Sequence, residues 1–371
     1  MAVKNTHIII GAAIVIIAII AIAAGATFLL GQKGSSVSGS VGSALETNTI
    51  VANVNKDCSA TPWVVGEVES FFNNSGINFI DAGALSWDLQ PAALISGQTN
   101  VYDGHPNSII QLLEANAQIQ GVLQSGQEPA PSPENVSKEH MHWLVLNNSP
   151  LYNASDIITF VQQNGRPVKI GVGGLGLCTD LETNAWLREN NIPQSDIQYV
   201  VIPDPNQLQA LDQGLIDVAC LHPPFYSAAE HDSKPTDVGG GVRIYFTSTQ
   251  AFGANAGTSL LTFTDAFIKS NPDTVRKFAE AYHSAEVWAN SNPVPAASQT
   301  GNWIGLANDT NVHYYSWDGA VNDTELQAWI NAMVADGDIK QGQYTPSDLY
   351  TTEFSDIWGN ASDLETANAT S

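Results

Sequence analysis

Residues 93–106 read ALISGQTNVYDGHP and residues 210–223 read ALDQGLIDVACLHP. The two stretches align without a gap as A-L-x-x-G-x-x-N/D-V-x-x-x-H-P. In each copy an apolar run ends a helix, and a glycine (Gly97, Gly214) follows where a helix takes its left-handed C-terminal cap. A short apolar strand then runs into His-Pro, because proline has no N–H group with which to continue a ladder. The pattern therefore predicts helix, tight turn, strand and polar loop, twice.

Two similar α/β lobes explain why such a unit occurs twice. Ligands of open α/β sheets bind outside the carboxyl ends of the strands, so two facing lobes form a cleft lined by matching loops. The alternative is a chance match, since A-L-x-x-G is a common phrase. The repeat predicts that His105 and His222 lie on the cleft.

Composition limits the class of partner. A chain of 371 residues is long enough for more than one domain, and its net charge of -24 makes nucleic acid and anionic membrane surfaces poor partners. The three cysteines, Cys58, Cys178 and Cys220, show no metal-like spacing. Cys178 and Cys220 fall near strand ends in the same half and are the candidate disulfide; the alternative is three buried thiols.

The N-terminus predicts attachment to a membrane. Residues 8–30 form an apolar run without charge, long enough to span a bilayer, and a Gly/Ser-rich spacer covers 34–43. The length favours an uncleaved anchor over a signal peptide, although small-residue sites leave cleavage open. We expect the remainder to lie outside the cell and to be glycosylated, because sequons occur only after the run, at Asn73, Asn135, Asn147, Asn153, Asn308, Asn322, Asn360 and Asn368.

The order of predicted elements gives a domain plan with two crossings between lobes, near 147–152 and 247–255, which together make a hinge. The segments are an anchor or signal helix at 1–33, a linker at 34–47, lobe I at 48–150 and 251–357, lobe II at 151–250, and a polar tail at 358–371.

Two loops have sequences suited to ligand contact. Ser59 and Thr61 lie at the N-terminus of a helix predicted to begin at Pro62, where free N–H groups attract anions; ordinary capping is the alternative. A Gly-rich loop with Gly173 and Gly174 follows a strand and precedes a helix. Its spacing is not that of a dinucleotide fingerprint, so close approach of the backbone to a ligand is the plainer use.

Four stretches in this order resemble the nitrate/sulfonate/taurine group of ABC-transporter solute-binding proteins, in the periplasmic-binding-protein type II superfamily. They are residues 71–78 (FFNNSGIN), the repeated A-L-x-x-G-x-x-N/D-V phrase, residues 267–278 (FIKSNPDTVRKF) and residues 333–340 (MVADGDIK). The resemblance covers about Thr49 to Asp356. It implies a two-lobed α/β fold of that type, here behind an N-terminal transmembrane helix, and a receptor that closes on a small solute and delivers it to an ABC permease.

The resemblance also implies where the ligand binds. Ligand contacts come from the loop before the first helix, from strand ends in both lobes and from the hinge. Carried over to this chain, the positions are Ser59, Thr61, Trp63, Gly104, His105, Gly173, Gly174, Thr179, His222 and Tyr226. These loops contain almost no Arg or Lys, which weakens an assignment to nitrate or sulfonate and leaves an oxyanion, a sulfonate or a pyrimidine-like compound open. Trp63 and Tyr226 are suited either to stacking on a flat ligand or to lobe packing.

Three alternatives remain beside the transport receptor. An enzyme of this superfamily makes a thiamine pyrimidine precursor, but its Cys-rich iron motif is absent, and the cleft loops show no Cys–His pair or close carboxylate pair. Metal capture would use His105 and His222 with help from Asp103, and His140 and His142 alternate on a predicted strand. A sensory or surface protein could keep the fold without transport. We assign no catalytic residue, metal ligand or cofactor from sequence.

Overall fold

The computed structural model describes residues 45–57, 59–87, 89–306 and 314–359. Its strands are β1 Thr49–Ala52, β2 Asn78–Asp81, β3 Val101–Gly104, β4 Ile119–Gly126, β5 His142–Leu146, β6 Val168–Val172, β7 Ile197–Val201, β8 Val218–Leu221, β9 Val242–Thr247 and β10 Ser259–Thr264. Its helices are α1 Ala60–Val68, α2 Phe71–Asn74, α3 Gln90–Ile95, α4 Pro106–Glu114, α5 Asp156–Asn164, α6 Cys178–Glu189, α7 Asp204–Asp212, α8 Phe225–Asp232, α9 Ser248–Phe252, α10 Asp265–Ser270, α11 Pro272–Ser291, α12 Pro293–Ile304 and α13 Asp323–Asp336.

Both copies of the repeat fold alike. Gly97 and Gly214 have φ of 75° and 67°, the left-handed conformation that glycine adopts without strain. After each glycine, the next N–H group donates back to the carbonyl five residues earlier, from Gln98 to Ala93 and from Leu215 to Ala210, which closes a Schellman motif. The predicted helix caps are therefore confirmed in both places.

The Asn or Asp of each copy fastens the coming strand to its neighbour. Asn100 donates its N–H to the Val51 carbonyl and accepts the Val51 N–H through Oδ1, both at 2.8 Å. Asp217 does the same with Lys169, again at 2.8 Å for both bonds. The two hydrogen bonds close a ring that requires a side-chain oxygen next to the backbone N–H group. Asn and Asp both supply such an oxygen.

The strands form two separate groups, which we call sheet A and sheet B. Sheet A is the antiparallel set β3-β10-β4 with the parallel pair β1-β2 beside it, joined to β3 through the Asn100 ring. Sheet B has the order β7-β6-β8-β5-β9, in which β7, β6 and β8 are parallel and β5 runs antiparallel to β8 and β9. The predicted mixed α/β class is confirmed.

The first crossing between sheets differs from the prediction. The predicted boundary at residue 150 leaves β5 with lobe I, whereas β5 pairs with β8 and β9 in sheet B. The chain therefore crosses at 127–141 rather than at 147–152, because a strand buried on both sides looks alike in either sheet. The second crossing, at 248–258, lies at the predicted place, since β10 joins sheet A as expected.

The core extends across both sheets. One buried cluster joins residues of sheet B to Leu260 of β10 and to Trp329 of α13, and a second packs α1 and α11 on sheet A. By contacts, the described residues from 45 to 359 belong to one compact unit, so the division into two lobes stays a prediction.

No helix in the described part of the chain is long and apolar enough to cross a membrane. The predicted anchor at 1–33, the linker up to residue 44, and all of the tail from residue 360 onward lie outside the described residues. The sequons remain predictions of glycosylation.

Candidate functional site

The two repeat histidines stand at equivalent places just past β3 and β8. His105 follows β3 and precedes α4, which has Pro106 in its first turn, where a missing N–H group costs nothing. His222 follows β8, and its carbonyl accepts the N–H groups of Phe225 and Tyr226 as α8 begins. Strand ends thus carry one imidazole from sheet A and one from sheet B toward the region between the sheets.

A third imidazole lies between them. His140, from the first crossing segment, is 1 % exposed, and its ring centroid lies 4.8 Å from that of His105 and 4.9 Å from that of His222. Trp329 of α13 also stacks on His105, at 5.2 Å between ring centroids and with an interplanar angle of 8°. The indole and the neighbouring imidazole restrict the His105 ring to one orientation.

Cys178 completes the group. It is the first residue of α6, is 7 % exposed, and its Sγ lies 3.4 Å from His222 Nε2. Both Cys178 and Cys220 are free, so the predicted disulfide between them is wrong. Their sulfurs have separate partners: Cys220 points at Met141, 3.7 Å away, whereas Cys178 faces the histidines. We call His105, His140, Cys178 and His222 the His/Cys cluster.

The cluster perturbs the protonation of its own members. Burial opposes ionisation of the Cys178 thiol, but His105 and His222 outweigh it and lower the pKa of that thiol to about 6. Burial likewise acts to lower the pKa of His222, but Asp204 and Cys178 raise it well above its usual value. Burial also opposes a charge on His105, whose pKa is nevertheless raised by Cys178 and by the Thr258 carbonyl. The thiol therefore ionises near neutral pH beside imidazoles that stabilise its charge.

His105 and His222 are each held by an oxygen atom that bonds Nδ1 of the ring. His105 Nδ1 lies 2.7 Å from the Thr258 carbonyl, an acceptor, so it carries the proton. His222 Nδ1 donates to Asp204 Oδ2 at 2.8 Å, and the same oxygen accepts the His222 N–H. These bonds fix the tautomers that leave Nε2 of both rings directed away from their supports.

Carboxylates surround the cluster. Glu182 of α6 is fully buried, with Oε1 4.0 Å from His140 Nε2, and burial raises its pKa well above the usual value. Glu128 accepts the His140 N–H and the Ser248 hydroxyl, and burial raises its pKa to about 8. Glu128 therefore links the first crossing segment, which contains His140, to Ser248 at the start of the second crossing.

Three of the predicted ligand residues pack inside the fold. Trp63 is 4 % exposed and contacts Phe79 at 5.3 Å and Tyr282 at 4.6 Å between ring centroids. The hydroxyl of Thr61 accepts a bond from Thr300 of α12. Tyr226 is wholly buried and stacks on His142 at 3.8 Å. Both aromatic residues make the packing contacts that were the alternative, and their contact with a ligand stays a prediction.

The other predicted residues lie around the cluster. Ser59 precedes α1 but donates its hydroxyl to Asp57 rather than capping the helix, so a carboxylate occupies the place expected for an anion. Thr179 is buried in the first turn of α6, after the loop that holds Gly173 and Gly174. Gly104 ends β3, where a Cβ atom would lie 2.2 Å from the Tyr102 ring.

Sequence reasoning missed half of the His/Cys cluster. The sequence predicts Cys178 either as half of a disulfide or as a buried thiol, and not as part of a site. It groups His140 with His142, which instead bonds Glu230 at 2.6 Å and the Val136 carbonyl at 2.9 Å. The statement that the cleft loops hold no Cys–His pair is wrong, since Cys178 meets His222. The available signal was position: Cys178 directly follows a Gly-rich loop after a parallel strand, as His222 directly follows the next strand of the sheet.

The comparison with protein families decides the membership of this chain. The model of the NMT1-like family matches residues 43–304, more than half of the chain. The chain belongs to the NMT1-like family. No curated protein sequence matches it.

Solved structures share the fold of this family member at low identity. The periplasmic aliphatic sulphonate binding protein SsuA of Escherichia coli is 15% identical, with 80% of this chain and 89% of that chain covered and a TM-score of 0.60. The periplasmic nitrate-binding protein NrtA of Synechocystis is 12% identical, with 88% and 90% covered and a TM-score of 0.64. A ligand binding component of an ABC-type import system from Staphylococcus aureus, with zinc bound, is 10% identical, with 84% and 99% covered and a TM-score of 0.64. The predicted resemblance to nitrate- and sulfonate-binding proteins is confirmed at the level of family and fold.

Proposed function

We propose that the chain is a solute-binding receptor that closes on a small solute between sheets A and B and delivers it to an ABC permease. The observation that carries the proposal is the convergence of strand ends from both sheets, and of one crossing segment, on the His/Cys cluster. A ligand bound there contacts both sheets at once, and therefore favours the closed arrangement by its differential affinity. Binding, rather than catalysis, is the function we assign.

The comparisons support this proposal through the proteins that share the fold. Two of them are binding proteins for nitrate and for aliphatic sulphonate, and the third is the ligand binding component of an ABC-type import system. We further propose that the receptor works outside the cell, held at the membrane by the apolar segment within 1–33. The acidic surface is compatible with this position at a distance from anionic lipids.

A thermal-shift screen of the purified full-length chain tests the receptor function. The panel contains nitrate, bicarbonate, taurine, alkanesulfonates, pyrimidines, amino acids and transition-metal ions. One member at about 100 times its dissociation constant should stabilise the fold by about 2.7 kcal/mol. Small-angle scattering with and without that member should show a smaller radius of gyration when it is bound.

Two results would count against the proposal. If the bound and free chains scatter alike, hinge closure is wrong even though a ligand binds. If no member of the panel stabilises the chain, the receptor function itself loses its support, and a sensory or surface role becomes the next hypothesis.

A further inference from the structure

The His/Cys cluster has the composition of a transition-metal site. One soft thiol and three imidazoles come from four separate segments: the ends of β3 and β8, the first crossing segment and the start of α6. Candidate ligand atoms of His105, His140 and Cys178 all lie within 4.8 Å of one another. Thiolate and imidazole together select borderline-soft ions such as Zn(II) rather than Mg(II) or Ca(II).

Distances around Cys178 suit a four-coordinate ion. Zn–S and Zn–N bonds of about 2.3 and 2.0–2.1 Å at a tetrahedral angle separate sulfur from nitrogen by about 3.5 Å. Cys178 Sγ and His222 Nε2 are 3.4 Å apart. The limit of 4.8 Å among His105, His140 and Cys178 is wider than these bonds allow, so a bound ion would draw the three side chains closer together.

Supports behind the imidazoles are those that metal ligands use. A metal-bound histidine commonly donates its other N–H to a carboxylate or a backbone carbonyl, which fixes its tautomer and orientation. Asp204 holds His222 in this way, and the Thr258 carbonyl holds His105. Because these supports bond Nδ1, Nε2 of His105 and Nε2 of His222 can both coordinate one ion.

Among the described residues, acidic side chains lie against the cluster. Asp204 bonds His222 at 2.8 Å, and Glu182 lies 4.0 Å from His140. Described basic side chains form ion pairs with other carboxylates: Arg166 pairs with Asp217, and Arg276 pairs with Asp356. Lys56 is exposed and lies over the Trp303 ring. The donor set of thiol and imidazoles, rather than the surrounding charge, therefore points to a metal ion.

We propose that His105, His140, Cys178 and His222 bind one divalent transition-metal ion, Zn(II) first, between sheets A and B. The statement that this ion is the transported solute rests on the proposed receptor function; the binding itself does not. A nucleophilic role for Cys178 needs only one base, yet two supported imidazoles, His105 and His222, interact with the same sulfur. Metal coordination uses both of them.

Titration of the full-length chain with Zn(II), after removal of metal with a chelator, tests the site. We expect one equivalent to bind, and Co(II) in its place to give a near-ultraviolet thiolate-to-cobalt charge-transfer band. Cys178→Ser should abolish that band and weaken Zn(II) binding at least 100-fold. Asp204→Asn, which weakens the support of His222 and leaves the four proposed ligands in place, should weaken binding about 10- to 100-fold.

Matched controls separate this site from adventitious binding. Cys220→Ser removes a buried thiol that faces Met141, and His231→Gln removes an exposed imidazole. Both variants should keep the Co(II) band and the Zn(II) affinity of the wild type. A Co(II) band that survives Cys178→Ser, or the absence of stoichiometric binding to the wild type, would overturn the proposal.

The two proposals can fail separately. Stabilisation of the metal-free chain by an organic solute or oxyanion, together with no stoichiometric Zn(II) binding, would leave the receptor function standing and overturn the metal site. Stoichiometric Zn(II) binding without any change in scattering would support the metal site and overturn closure. Zn(II) binding with a smaller radius of gyration supports both.

Discussion

At the scale of single residues, the repeat works through one side-chain oxygen. Asn100 and Asp217 occupy the same place in the two copies and make the same pair of bonds to a neighbouring strand. The sequence showed the match but not its reason, because a side chain that bonds to the backbone of a distant strand leaves no local pattern. Each bond contributes about 0.5–1.5 kcal/mol to folding.

Removing the Asn100 oxygen should therefore destabilise the chain measurably. Asn100→Ala leaves the Val51 N–H without its partner, and we expect the free energy of unfolding to fall by about 1 kcal/mol. Asn100→Asp is the matched control, since it installs the residue of the other copy and keeps the acceptor. Urea unfolding of both variants measures the difference. Equal stability of Asn100→Ala and wild type would show that the ring contributes nothing.

The candidate site was only half predictable at this scale. His105 and His222 could be found because they end two copies of one motif, and the structure brings both to His140. Cys178 and Asp204 could not be found in this way. They are the first residues of α6 and α7, and they reach His222 only after β6 and β8 lie side by side.

At the scale of elements, α11 carries a buried pair whose two members respond to pH in opposite directions. His283 Nδ1 lies 3.1 Å from Glu286 Oε2, one turn along the helix. Burial lowers the pKa of His283 to about 4. Burial, together with the charge of Asp103, raises the pKa of Glu286 well above its usual value. Both groups are therefore neutral in the folded chain near pH 5.

The signs of the two contributions follow from linkage. Glu286 ionises more readily when unfolded, so its contribution to stability is complete below about pH 4.5 and is lost as pH rises above that value. His283 protonates more readily when unfolded, so its contribution is present above about pH 6.5 and is lost as pH falls toward 4.

Single substitutions in α11 should reveal these slopes. Glu286→Gln should gain stability over wild type between pH 5 and pH 8, by up to about 1.4 kcal/mol per pH unit in the steepest part. His283→Gln should instead gain on wild type as pH falls from 7 to 5. Urea unfolding at several pH values measures both, with Ser284→Ala, on the exposed face of the same helix, as the control. Parallel pH profiles for all three variants would contradict the assignment.

At the scale of the whole molecule, the return of β10 to sheet A was predictable and the membership of β5 was not. Strand β10 returned to sheet A as expected, because a strand followed by the long C-terminal helices has its partners there. Strand β5 reads HWLVL, an apolar run that fits the interior of either sheet. Its antiparallel pairing with β8 and β9 is set by the tertiary structure, which no local pattern encodes.

An ion pair far from the His/Cys cluster joins the two sheets. Arg188 of α6, beside sheet B, bonds Asp336 of α13, and Asn184 donates to the same carboxylate at 3.0 Å. Helix α13 is in turn fixed to sheet A, because Gln124 of β4 bonds Glu325 at 2.7 Å and accepts the Asn322 N–H. If the sheets separate as proposed, the Arg188–Asp336 pair therefore forms only while they are close together.

Loss of this pair should weaken ligand binding without touching the ligand. Arg188→Gln removes a partly exposed ion pair that contributes about 0.2–1 kcal/mol to the closed arrangement, which lowers apparent affinity by up to about five-fold. Arg276→Gln is the control, because its ion pair with Asp356 links α11 to the segment after α13 on the side of sheet A. Titration calorimetry with Zn(II), or with the solute that the screen identifies, compares the two. Equal affinities for both variants would mean that closure does not strain or relax the contact between α6 and α13, and the hinge would have to lie elsewhere.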